Sequence, residues 1–143
     1  MKNSFIFIVM FSCLLMSCSK NDLDYKKHNA YYKQTLKYFH SNYNIFFLPG
    51  GKENTVRIDD RYTACKELDS LFKWQPLEFV ILSRDSSILF YSHPSKGTKP
   101  KQVCIIHVRY LQSILHLDPF FEPPLIKEDN DWYKYERVVS IAN

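Results

Sequence analysis

The chain has 143 residues, 45% of them hydrophobic and 24% charged, with three glycines and seven prolines. That length suits one domain with at most a short appendage, and the apolar content excludes collagen-like, low-complexity and strongly disordered chains. The formal charge of +4 is spread along the chain, which argues against nucleic-acid recognition, a task that wants clustered Lys and Arg. Aromatic residues make up 16%, ten of them tyrosine, a composition that leans toward sheet.

Residues 1–17 read as a targeting segment. Lys2 supplies a short positive start, and Phe5 to Met16 is an apolar run interrupted only by Ser12 and Cys13. A helix that spans a bilayer needs roughly 20 apolar residues, so this run fits the core of a signal peptide instead. Leu15-Met16-Ser17-Cys18 follows, and then the polar Ser19-Lys20-Asn21-Asp22. Residues 15–18 resemble the lipobox of bacterial lipoproteins. The resemblance covers about the first 22 residues and implies cleavage between Ser17 and Cys18, a diacylglyceryl thioether on Cys18, and acylation of the new amino group, for example by palmitate. Each buried CH₂ contributes about 0.8 kcal/mol, so two or more acyl chains anchor stably where one does not. Cys13 is a poorer acceptor, because bulky Phe11 stands two residues before it and processing there would cut the apolar run short.

The resemblance also implies a cell-envelope location. Ser19 stands where some bacteria place an aspartate that retains lipoproteins at the inner membrane, which favours the outer membrane. Lys20-Asn21-Asp22 resembles the charged signal for surface display in Bacteroidetes-type bacteria, and the choice between periplasmic and surface face stays open. Expected, then, are a signal peptide over 1–17, a lipidated tether over 18–23, and one domain over 24–143. The expected partners are the membrane, through the lipid on Cys18, and an envelope protein or ligand of unknown identity. Loss of Lys2 leaves 18 basic against 15 acidic side chains, too even a balance for nucleic acid. Lys26-Lys27 reads as a solvated helix face near Asp22 and Asp24, with anionic headgroups as the less favoured contact.

The body opens with a helical pattern from about Asp24 to Ser41: Tyr25, Tyr32, Leu36, Phe39 and Tyr43 recur near helical spacing, and Asp22 or Asp24 can cap the start. Ile45 to Leu48 reads as a short strand closed by Pro49-Gly50-Gly51, with Thr55 to Ile58 as the second arm of a hairpin. Asp59 or Asp60 then caps a helix over Arg61 to Lys73, whose Ala64, Cys65, Leu68, Leu71 and Phe72 share a face. Leu77 to Ser83 and Ile88 to Ser92 are apolar on both sides, as strands covered on both faces are, and Arg84 to Ser87 joins them. A polar loop, His93 to Lys101, leads to a strand over Val103 to Tyr110. Leu111 to His116 forms a helical turn before a proline-rich loop, Asp118 to Pro124, and Trp132 to Ile141 alternates as a strand with one wet face. The fold class this predicts is α+β, an antiparallel sheet of five to six strands with two helices packed against it.

Chemical motifs are sparse. No G-x-x-x-x-G-K-[ST], G-x-S-x-G or H-E-x-x-H occurs. His28, His40, His93, His107 and His116 are unpaired in spacing, and His116-x-Asp118 is too bare a pair to predict a metal. The residues imply neither cofactor nor catalytic set. With Cys13 removed and Cys18 lipidated, Cys65 and Cys104 remain in an oxidising compartment, and both fall on apolar stripes. A disulfide between them would close a loop of about 40 residues, contributing about 4 kcal/mol in the chain-entropy model; buried free thiols are the other main reading.

Two function classes follow. The favoured one is a lipid-anchored, non-enzymatic binding or interaction module using Phe120 and Phe121 on the proline-stiffened loop, together with Trp74 and Trp132. The alternative is a small envelope hydrolase or thiol-redox protein using Cys65 or Cys104 with His93 or His107.

Overall fold

The computed structural model describes residues 22–62, 65–109 and 111–139. Six strands form one antiparallel sheet: β1 (Thr55–Asp59), β2 (Leu77–Ser83), β3 (Ile88–Ser92), β4 (Lys101–His107), β5 (Phe121–Asp129) and β6 (Trp132–Val138), in spatial order β1-β2-β3-β4-β6-β5. Two longer helices, α1 (Tyr25–Ser41) and α3 (Lys66–Trp74), accompany the short α2 (Tyr43–Phe46) and α4 (Ser113–Leu117). The architecture is α+β, as the order of periodicities predicts.

Strand alternation sends each strand's residues to two faces, and both faces are covered. On one, Val80, Leu82, Ile88, Phe90, Ile105 and Trp132 pack with Tyr25, Tyr32 and Phe39 of α1 and with Leu68 and Leu71 of α3. On the other, Phe79, Leu89, Tyr91, Cys104, Ile106 and Tyr135 pack with Ile114 of α4 and with Phe121 and Leu125 of β5. The residues forming one cross-strand row on that second face are set by the register, which places Phe79 opposite Tyr91, Tyr91 opposite Cys104 and Cys104 opposite Tyr135.

Asp24 caps α1 as expected, its carboxylate accepting the Lys27 N–H at 3.0 Å. The helix leaves helical geometry once, at His28. Its amphipathic stripe makes it a lid for the sheet, and α3 lies alongside it. Between β2 and β3, Ser86 takes a positive φ of 71°, and the Ser83 N–H closes the turn on the Ser87 carbonyl at 2.9 Å.

Several local expectations need correcting. Ile45 to Leu48 is not a strand: Ile45 and Phe46 belong to α2, and Phe47 packs into the helix-side core. Thr55–Asp59 is a strand, but its partner is β2. Asp59 does not cap a helix, because it is still paired opposite Phe79 and its carboxylate is taken by the Arg61 side chain. The second helix consequently starts later, with Cys65 at its N-cap; Ala64 lies outside the described residues. The polar loop gives way to β4 at Lys101, and that strand ends at His107 rather than Tyr110, which also lies outside the described residues. Phe121 to Pro124 is the start of β5, an edge strand where prolines are tolerated because no ladder donor is required of them on the open side. On β6 the expected wet face is partly covered, since Trp132 is core and Lys134 pairs with Asp22; Ser140 and Ile141 lie outside the described residues.

Candidate functional site

Asp118, just after α4, is the polar centre of the second face. It is 1% exposed, and its Oδ2 accepts the Tyr135 hydroxyl at 2.8 Å and the Tyr91 hydroxyl at 3.1 Å. Oδ1 accepts from Arg137 at 3.2 Å and from the Phe120 N–H at 3.0 Å. Arg137 also donates through Nε and a terminal nitrogen to Gln102 Oε1, at 2.9 and 2.7 Å. Gln102 in turn donates to Glu78 Oε2 at 2.7 Å and to the Ser92 carbonyl at 2.9 Å. The guanidinium lies over the Tyr91 ring, 4.4 Å from its centroid, and Tyr91 stacks on Phe79 at 4.7 Å. At the far end of this row Arg57 lies over the Phe79 ring at 3.8 Å. Burial raises the hydroxyl pKa values of Tyr91 and Tyr135, keeping both as neutral donors.

Such an arrangement is suited to holding a loop rather than to turning over a substrate. The carboxylate is already occupied by two hydroxyls, a guanidinium and a backbone N–H, and groups so committed rigidify what they touch. What they touch is the turn that carries the two predicted binding rings. The Phe121 N–H donates to the Asp118 carbonyl at 3.1 Å, so both amides after Pro119 are tied to one residue. The rings then part: Phe121 packs edge-on against Tyr135 at 5.1 Å, while Phe120 is 57% exposed.

The tryptophans also divide. Trp132 is 2% exposed and lies among Tyr25, Tyr32, Phe90 and His107, so it serves as core. Trp74, at the end of α3, is 53% exposed and meets Tyr31 edge-on at 5.2 Å, with His28 6.3 Å away.

The thiols and imidazoles are not brought together. Cys65 packs on the helix-bearing side and Cys104 on the opposite face, and both are free thiols. The expectation that they point into one core, and with it the disulfide, is corrected: α3 covers the face away from Cys104. Burial pushes the Cys65 thiol up and the Cys104 thiol well up, with Arg137 opposing at the latter. His93 is exposed after β3, and His107 lies on the helix-bearing side beside Trp132 and His40. His116 is exposed, whereas Asp118 is committed inside. Among the described residues no three His, Cys, Asp or Glu side chains converge as a metal site, and no helix is long and apolar enough to cross a membrane.

Sequence reasoning missed the Asp118 network, although a signal was present. Tyr135 and Arg137 are two apart on one strand, hence on one face, and a cation beside a tyrosine on a core-facing row asks for a buried acid. Compared with protein-family models, curated proteins and solved structures, the chain matches none of them.

Proposed function

We propose that the protein is a lipid-anchored interaction module of the bacterial cell envelope, tethered through Cys18 and offering Phe120 to a protein or ligand at that surface. The observation that carries this reading is the exposed Phe120 ring on a turn whose backbone is bonded to buried Asp118. An aromatic group already held in place loses little conformational freedom on binding, and such rings are over-represented among the residues that dominate interfaces. The tether is favourably placed. Asp22 pairs with Lys134 on the helix-bearing side of the sheet, whereas Asp118 and its turn belong to the other side. Location at the outer membrane, on either of its faces, is part of the same proposal and rests on residues 15–22.

Two measurements test it. Cys18→Ser should abolish incorporation of a fatty-acid probe, and unchanged labelling sinks the anchor. In the intact lipoprotein, a photo-crosslinking phenylalanine analogue at position 120 should capture a discrete partner in the native envelope, while the same analogue at exposed position 126 should not. Phe120→Ala should then lower recovery of that partner about tenfold or more. Identical adducts from both positions, or unchanged recovery, would remove Phe120 from the proposal.

A further inference from the structure

We infer that the cluster of Trp74, Tyr31 and His28, flanked in the chain by Lys73 and Lys27, is a membrane-contacting surface that rests among lipid headgroups. The inference deepens the anchored reading and rests on lipidation of Cys18.

The placement argues for it. Asp22 stands four positions after Cys18, a span of at most about 14 Å even when fully extended. The fold begins there without slack: Leu23 is 0% exposed, Asp22 pairs with Lys134, and the Asp24 N–H donates to Gln75 Oε1 at 2.9 Å. Gln75 is the chain neighbour of Trp74, so that bond fastens the start of α1 to the end of α3 that carries the exposed indole. A lipid on Cys18 therefore holds this end of α1 and α3 within reach of the headgroup layer at all times.

The chemistry of the patch suits that layer. Trp and Tyr have apolar bodies and polar tips and concentrate at membrane–water boundaries. Trp74 is more than half exposed although Tyr31 and His28 stand against it. The acids nearest the tether are already engaged: Asp22 by Lys134, Asp24 by the Lys27 N–H, and Glu128 by Lys26 at 3.9 Å. Lys27 and Lys73 form no ion pair among the described residues, which leaves them for anionic headgroups.

The test uses the full-length protein purified with its acyl chains and incorporated into vesicles of phosphatidylethanolamine and phosphatidylglycerol that carry a shallow spin-labelled lipid. Trp132 is buried, so quenching reports on Trp74. Wild-type emission attributable to Trp74, taken as the difference from Trp74→Phe, should fall about twofold, and Lys27→Glu with Lys73→Glu should weaken the effect. The same sample is analysed for acyl mass on the Cys18 peptide. Acyl mass without Trp74 quenching overturns the docking and leaves the anchor standing; this is also what a patch reserved for a second copy or another protein gives. Absence of acyl mass overturns the anchor, and the docking falls with it. Equal quenching in wild type and Trp74→Phe also overturns the docking.

Discussion

On the helix-bearing face, Tyr32, Phe90 and Trp132 meet ring to ring, whereas on the other face Tyr91 and Tyr135 turn their hydroxyls onto Asp118. Both faces are buried, and both are built on the same sheet. The first is held by area: leucines and aromatics fill it, and its polar contacts are local ones such as Gln75 Oε1, accepting from the Tyr32 hydroxyl at 3.0 Å and from the Asp24 N–H. The second is held by a network in which every partner depends on the next. Non-directional packing tolerates exchange of one apolar group for another of similar volume. A buried charge tolerates little, because removing one partner strands the other.

The comparison is broken most sharply at Asp118. Asp118→Ala leaves Arg137 Nη1, two tyrosine hydroxyls and the Phe120 N–H without their acceptor, the guanidinium keeping only the neutral Gln102 as partner, and should cost about 3–5 kcal/mol of stability, read from urea midpoints. The double variant Asp118→Ala with Arg137→Met should recover part of that loss, since it removes the stranded charge as well. A cost under about 1 kcal/mol for the single variant would mean that water already serves these groups, and the contrast between the faces would vanish.

A smaller effect is expected on the helix-bearing face. Leu71 is fully buried there, so Leu71→Ala should cost about 2–4 kcal/mol through lost burial and the void left behind. Leu71→Met should cost less than about 1.5 kcal/mol, because volume is kept and methionine adapts to the space. Near-equal costs for the two variants would show that this face, too, depends on specific fit.

The same difference decides what could be read in advance. Where packing area rules, periodicity suffices: the stripe of α1 and the doubly apolar β2 and β3 were legible, and with them the α+β class. Where a few polar atoms rule, the pattern says little. Tyr135 and Arg137, two apart on one strand, ask for a buried acid, but Asp118 stood out only as a neighbour of His116, and nothing local announced that it is that acid or that Tyr91 would join them across 46 residues of chain. β5 was hidden by Pro123 and Pro124, which count against a central strand but not an edge. The start of α3 was misplaced because Asp59 looks like a cap in the chain and proves to be a strand residue with Arg61 on its carboxylate. Of the four predicted binding rings, Phe120 and Trp74 are exposed, Phe121 is half-buried against the sheet and Trp132 is inside. That division follows from tertiary packing, which sequence spacing does not carry.

The smallest effect comes from the border of the helix-bearing face, where His107 sits against Trp132 with its Nδ1 buried and unpartnered. Its pKa lies below the ordinary 6.5, first because burial disfavours the imidazolium; His40 and Arg109 add repulsion, and Asp131 opposes them. The folded protein therefore binds this proton less readily than the unfolded chain does. The sign follows: stability is full above the unfolded value near 6.5 and declines as pH falls through that value toward the lower folded one. Asp59 and Asp129, whose carboxylates are held low by Arg61 and by Lys33, lose their contribution only below the ordinary 3.8, in a separate window. His107→Gln should flatten the dependence of the urea midpoint between about pH 7 and pH 5 and leave the more acidic limb unchanged. If the variant keeps the wild-type slope, the proton responsible sits elsewhere, and the border of this face is as indifferent to charge as its centre.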